Sequence, residues 1–326
     1  MAFRFCDSFD HYATADITNK WNTSSATGIV GSGRNGNCLQ LDYNQIISKT
    51  LDAQATWIVG IAFKTTSLAS ENLILSLRDA GTNQCSVRVN TDGTLSVLRG
   101  STVLATSILA ISINTWYYIE FKVTIADAGT YQVRVNGVDW IASGSGDTQA
   151  TANASANQIA LYQAGSYSSY FDDLYVCDGT GASNNNFLGD VRVDALLPSG
   201  AGTTTAWTPS TGANYTCVDE AAPNDTDYVE SATANQVDTY AMGNLPYAAG
   251  SVFAVQVVDM ARKTDAGARS IQTAVRSGAS DYYGSTVSLG DTYVAVMKQY
   301  DTDPADSAAW TVTKVNALEA GIKLIA

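Results

Sequence analysis

The sequence predicts a mainly β protein in two parts: an N-terminal antiparallel sandwich and a second, smaller β-rich domain. Three observations carry this. Of 31 acidic residues only five are Glu (Glu71, Glu120, Glu220, Glu230 and Glu319); Asp, Asn, Ser, Thr and Gly favour turns, whereas Glu and Lys favour helices. Short runs alternate apolar and polar residues at period two, and no segment sustains a 3.6-residue period. Turn pairs such as Asp92-Gly93 and Asn136-Gly137 stand between those runs, supplying the positive φ that tight hairpins need.

Taken in order, Trp57–Phe63 is an apolar run rich in β formers, and Asn72–Leu77 follows it. Cys85–Val89 and Leu95–Leu98 flank the turn Asn90–Gly93. Trp116–Ile125 alternates over ten residues, turns at Asp127–Gly129 into Tyr131–Val135, and turns again at Asn136-Gly137 towards Trp140-Ile141. Gln158–Tyr162 and Ser169–Val176 close the first domain, expected over residues 1–178. Gly179–Asn186 has no large apolar residue and reads as a linker. The second domain, 187–326, opens with Phe187–Val193 and passes through a weakly hydrophobic stretch from Pro198 to Asp227. It resumes strands at Val252–Val258, Ser270–Val275 and Thr292–Met297. A short helix is expected within Trp310–Glu319 and a last strand at Ile322–Ile325.

Asp7–Asp10, the paired segments Trp116–Val123 and Tyr131–Gly137, and the closing Tyr170–Val176 resemble the opening, central and final strands of a concanavalin A-like or laminin G-like jelly roll. The resemblance covers about half the chain and implies that first and last strands meet. Phe171–Val176 with Leu188–Asp194, Ala206–Pro209 and Trp310–Gly321 is similar to segments of tailed-bacteriophage virion proteins of tail, fibre or head-decoration type. That second resemblance implies a virion protein made and assembled in the host cytoplasm.

The net charge of −13 and pI near 4.3 speak against a nucleic-acid binder, which needs clustered Lys and Arg. His11 is the one histidine, which excludes multi-His metal sites, and no nucleophile elbow or P-loop accompanies it. Five Cys without metal spacing (Cys6, Cys38, Cys85, Cys177 and Cys217) read as reduced thiols. The N-terminus lacks a basic start followed by an apolar stretch, and Val103–Ile113 is too short and too broken by Thr and Ser to enter a membrane. Glycoside hydrolysis needs two facing carboxylates. Glu120, sharing a strand face with Trp116, Tyr118 and Lys122, is expected to be solvated and paired with Lys122 or Arg134. Gly31-Ser-Gly33 is expected to be a surface turn, and Asp301–Asp306 an acidic surface loop.

Calcium takes carboxylate and carbonyl oxygens, and the junction of first and last strands would gather Asp7, Asp10, Asp172 and Asp173 as its candidate ligands. Tyr162, Tyr167 and Tyr170, with Tyr282 and Tyr283 in a second loop, are candidate contacts for a glycan or a neighbouring subunit, since Tyr offers rigid area with a polar handle. The expectation is a non-enzymatic virion structural protein on the particle surface, docking on other virion proteins and on itself as a homo-oligomer such as a trimer. The alternative is a receptor-binding module for a bacterial surface glycan, and a glycan-active enzyme ranks third.

Overall fold

The computed structural model describes residues 2–326. Packing divides the chain into two units: residues through Asp10 with Thr14–Val193, and His11–Ala13 with Asp194–Ala326. Residues 179–193 therefore belong to the first unit. They are neither a linker nor the opening of the second domain.

Strands of the first unit are, in chain order, β1 (Phe3–Asp7), β2 (Thr23–Ser24), β3 (Gly28–Val30), β4 (Cys38–Leu41), β5 (Gln45–Gln54), β6 (Thr56–Thr65), β7 (Asn72–Asp79), β8 (Thr82–Val89), β9 (Thr94–Arg99), β10 (Thr102–Ala110), β11 (Tyr117–Thr124), β12 (Gly129–Val135), β13 (Val138–Gly146), β14 (Ala156–Gln163) and β15 (Ser169–Asp178). They form two antiparallel sheets, the expected jelly-roll sandwich. One runs β13-β12-β11-β6-β15-β4-β3, with β1 also on β15; the other runs β10-β9-β8-β7-β14-β5-β2. The Asn-Gly and Asp-Gly turns form as read: Asn136 and Gly137 have φ +51° and +78°, and Gly93 has φ +82°.

Period-two alternation sorts the side chains between two faces. Ile119, Phe121 and Val123 of β11 stand opposite Ile61, Val59 and Trp57 of β6, and all six are fully buried between the sheets. Each such side chain contributes roughly 1.5–3 kcal/mol. Trp57 Nε1 donates to the Ala156 carbonyl of the opposite sheet at 3.2 Å, so its one polar atom is paired inside the core. On the outer face β11 presents Tyr118, Glu120 and Lys122 against Ala62, Gly60 and Ile58.

First and last strands meet as the resemblance implied: β1 pairs β15, with Asp7 opposite Leu174. The same edge of β15 also takes β4, at Ser169–Phe171. Between these two partners the pairing of β15 with β6 slips from Asp172 to Tyr175, and Asp173 takes φ +50°. The slip is a β-bulge, which bends the strand and re-aims its side chains.

The second unit holds β16 (Pro198–Thr205), β17 (Thr208–Pro209), β18 (Val229–Glu230), β19 (Val237–Met242), β20 (Val255–Ala261), β21 (Ser270–Ser277), β22 (Ser280–Tyr283), β23 (Val287–Ser288), β24 (Val294–Tyr300) and β25 (Glu319–Leu324). The main sheet runs β16-β19-β25-β21-β22 with β23 on β21, and β20-β24 forms a separate ribbon. Its core gathers Val257, Val275, Tyr300, Trp310, Val315 and Leu318. The expected helix is shortened to Val312–Ala317, where the Thr311 hydroxyl accepts from Lys314 N. Glu319 onward pairs with β19 and β21 instead. Among the described residues no helix is long and apolar enough to cross a membrane.

Candidate functional site

The outer face of the first sheet carries the chemistry of this unit, and it divides into a covered part and an open part. The covered part centres on Glu120, which is fully buried, contrary to the solvated role expected from its strand position. Tyr175 lies across the face over Gly60, and a Cβ on Gly60 would overlap its ring. The missing side chain is what lets the Tyr175 hydroxyl reach Glu120 Oε1, at 2.5 Å. Gly189 N donates to the same oxygen at 2.8 Å, and Leu188 N donates to the Tyr175 hydroxyl at 3.2 Å. The Oε2 atom is buried without a hydrogen-bond partner. Tyr118 stacks beside Tyr175, centroids 6.4 Å apart, and its hydroxyl donates to the Asp173 carbonyl at 3.0 Å. Burial holds both phenols well above their ordinary range.

The cover is the segment 186–193. Lys122 Nζ donates to Asn186 Oδ1 at 3.1 Å, the Arg134 guanidinium lies 4.5 Å from the Phe187 ring centroid, and Val193 N donates to Asp173 Oδ1 at 2.8 Å. Arg34 ties the segment from the other side. It donates to Asp190 Oδ1, to the Val191 carbonyl at 2.5 Å and to Asp173 Oδ2 at 2.9 Å. The loop Gly31–Asn37, expected to be a bare surface turn, thus delivers the cation that closes the face.

The four aspartates expected to bind calcium meet protein donors instead. Asp7 and Lys20 form a buried ion pair at 3.1 Å, both side chains at most 1% exposed, and Trp21 Nε1 donates to the second oxygen at 2.7 Å. Asp10 Oδ1 accepts from Asn37 N at 2.6 Å. Asp172 accepts from Arg34 N at 2.7 Å and from Asp173 N at 2.8 Å. Burial, reinforced by the neighbouring Asp173, pushes the Asp172 carboxyl up to about 7; burial also raises Asp173. Among the described residues no group of three or more His, Cys, Asp or Glu is arranged to hold a metal ion.

The open part lies where β6 ends. Lys64 stands opposite Tyr170 on β15, with its Nζ 4.6 Å from the Tyr170 ring centroid and 4.7 Å from that of Trp116. All three residues are partly exposed. The ammonium donates to the Ser32 carbonyl at 3.4 Å, and among the described residues it has no carboxylate within ion-pair distance. Gln40, opposite Tyr170 on β4, donates to Asp42 at 3.0 Å and extends the shelf with polar groups.

Of the tyrosines singled out from sequence, Tyr170 alone belongs to this shelf. Tyr162 is on the other sheet, its hydroxyl on Asn44 Oδ1 at 2.6 Å. Tyr167 ties its loop to the β6–β7 loop by donating to the Ser70 carbonyl at 2.7 Å. Tyr282 and Tyr283 lie in strand β22, not a loop. Tyr282 packs on the core of the second unit, and Lys323 sits 4.5 Å over the Tyr283 ring. The Asp301–Asp306 loop is less open than read: Asp303 is 2% exposed and pairs with Lys314 at 3.2 Å. Sequence reasoning placed Trp116 on the right face but passed over Lys64, whose signal is the single charge ending the apolar run of β6. None of the five cysteines is joined in a disulfide.

No family model matches the chain, and no curated protein matches it. Solved structures do. An endo-β-1,4-glucuronan lyase from Trichoderma reesei is similar at 11% identity and a TM-score of 0.40, over 48% of this chain and 91% of that one. The alginate lyase Aly36B is similar at 11% identity and 0.42, over 53% and 96%. The carbohydrate-binding module CBM66 from Bacillus subtilis is similar at 10% identity and 0.35, over 48% and 94%. At these levels the likeness is one of β-sandwich fold. The three are polysaccharide lyases and a sugar-binding module, none of them a particle component, and the expected role as a virion structural protein is withdrawn.

Proposed function

We propose that the first unit is a non-catalytic glycan-binding module, with the Lys64, Trp116 and Tyr170 shelf as its binding surface. One observation carries this reading: an ammonium held between two partly exposed aromatic rings, with no carboxylate of the described residues within ion-pair distance. Aromatic rings offer rigid apolar area to the C–H face of a sugar, and the indole N–H and phenol O–H add hydrogen bonds at the rim. Holding Lys64 by cation–π contact limits its rotamers before any ligand arrives, which lowers the entropy cost of binding. The same ammonium suits an acidic substituent, so a uronate or sulfated sugar is favoured over a neutral one. Glu120, on the same face, is sealed under 186–193 and does not face the shelf's solvent. Its two nearest donors hold it in place as a structural anchor, which supports binding without turnover.

The test is affinity electrophoresis of the full chain in gels containing neutral or acidic soluble polysaccharides, followed by calorimetry on those that retard it. Trp116→Ala and Tyr170→Ala are each expected to weaken binding about tenfold, the scale of one aromatic contact, with the melting temperature held. Lys64→Met is expected to weaken acidic glycans more than neutral ones. Absence of retardation by every polysaccharide, or full binding by the Trp116→Ala variant, would overturn the assignment. Release of unsaturated or reducing sugar ends would overturn its non-catalytic part.

A further inference from the structure

We infer that Gln40 selects a neutral sugar unit, one that presents a hydroxyl or amide N–H, beside the acidic unit held at Lys64. The inference rests on the glycan-binding reading of the shelf and adds a direction and a second contact to it. Strand pairing sets the direction. Trp116 directly precedes β11, whose Tyr117 stands opposite Phe63, so it lies beside Lys64 of β6. Lys64 stands opposite Tyr170 of β15, and Tyr170 stands opposite Gln40 of β4. The four residues form one row across the adjacent strands β11, β6, β15 and β4. Gln40 is two strand spacings, about 10 Å, from Lys64, with Tyr170 between them. A sugar stacked on Tyr170 puts its substituent on Lys64 and its neighbouring unit over Gln40.

The Gln40 amide has a fixed orientation. Its Nε2 donates to both Asp42 oxygens, at 3.0 and 3.3 Å, and to Ser168 Oγ at 3.4 Å. Asp42 is fixed in turn: it accepts from Ser168 Oγ at 2.6 Å and from the Thr27 hydroxyl. Burial alone would raise the Asp42 carboxyl, but donation from Ser168, Thr27 and Gln40 outweighs it and holds the group below its ordinary range. An ionised carboxylate only accepts, so the amide N–H groups turn towards Asp42 and the carbonyl oxygen turns away. Among the described residues nothing donates to Gln40 Oε1, and this oxygen is not sealed inside the protein. Gln40 itself is partly exposed.

Oε1 is therefore an oriented acceptor at the end of the row. A sugar hydroxyl or an acetamido N–H supplies its donor. A carboxylate or sulfate has no proton to give and would set acceptor against acceptor, with the Asp42 charge behind it. Such a group would also desolvate Oε1 without pairing it, and a site built for a hydrogen bond rejects a ligand that cannot make it. The two ends of the row thus read opposite chemistry: Lys64 takes the anion and Gln40 excludes it. The substrate class is a glycan in which acidic units are interspersed with neutral ones, as distinct from a polymer that is acidic at every unit.

Calorimetry of the full chain tests this with hyaluronan and unsulfated chondroitin, in which uronate alternates with N-acetylhexosamine, and with alginate and polygalacturonate, which are uronate throughout. The better alternating polymer is expected to bind about tenfold more tightly than either homopolymer. Gln40→Leu, close in size but without an acceptor, is expected to abolish that preference by weakening the alternating polymers alone. Asp42→Asn, which lets the amide turn either way, is expected to shrink the preference in the same direction. A purely structural loss would weaken both classes together, and melting confirms that each variant is folded. A wild-type chain that binds the homopolymers as well as the alternating ones, or binds neither class, would overturn the inference. So would a preference that survives Gln40→Leu; one that survives Asp42→Asn alone would overturn the positioning role of Asp42. The shelf assignment is decided separately, by whether Trp116→Ala weakens whichever polysaccharide the chain does bind.

Discussion

Asp172 and Asp173 sit side by side in the β15 bulge, and neither side chain reaches solvent. Two adjacent carboxyl groups out of water cannot both ionise cheaply. Asp173 has the Arg34 guanidinium; Asp172 has only backbone N–H donors, and its carboxyl is raised from 3.8 to about 7. Between those values the folded chain keeps a proton that the unfolded chain has released. The contribution of Asp172 to stability is therefore full below about pH 4 and is lost as pH rises through 7. Wild-type protein is expected to lose on the order of 2 kcal/mol more between pH 5 and pH 8 than the Asp172→Asn variant does. Urea unfolding at the two pH values measures this difference, and parallel losses in the two proteins would contradict it.

Gly60 is one missing side chain on β6, yet it governs a whole element. Its bare backbone admits the Tyr175 ring, Tyr175 reaches Glu120, and the two accept from Leu188 N and Gly189 N, respectively, of the covering segment. Gly60→Ala forces a methyl group into that ring and is expected to cost about 1–3 kcal/mol. It is also expected to expose 179–193 to limited proteolysis, and a variant as stable and as resistant as the parent would refute the linkage. The same element marks the limit of what the sequence makes legible. β6, β11 and β12 read plainly because one face of each is continuous core and the turns between β11, β12 and β13 have their own chemistry. Residues 179–193 read as linker and new domain because their anchors are backbone N–H groups and a distant arginine, which leave no periodic trace. β16 is illegible for a related reason: its Pro-Ser-Gly-Ala-Gly composition reflects close packing, with Gly202 against the Thr239 backbone. Within the shelf, alternation places Trp116, but its meeting with Lys64 and Tyr170 depends on strand order, which no local pattern encodes.

At the scale of the molecule, the acidity is spent on internal pairing as well as on solubility. Arg4 pairs with Asp178, Lys20 with Asp7 and Arg34 with Asp173 and Asp190, while Asp10 and Asp172 accept from backbone N–H groups, so protein donors already engage the carboxylates at the junction of first and last strands. Treatment with a divalent-ion chelator is accordingly expected to leave the melting temperature unchanged, as calorimetry will register; a drop reversed by calcium would contradict this. The pairing of β1 with β15 has a kinetic corollary. Arg4 and Asp178 are separated by 174 positions along the chain. During synthesis β1 must wait for its partner β15 until almost the entire sandwich has left the ribosome. Contacts of such long range slow folding, because loop closure precedes any gain from the contact. β1 thus precedes the other strands of this sandwich in the chain and pairs only after β15 is made. Its addition is the step that completes the sheet.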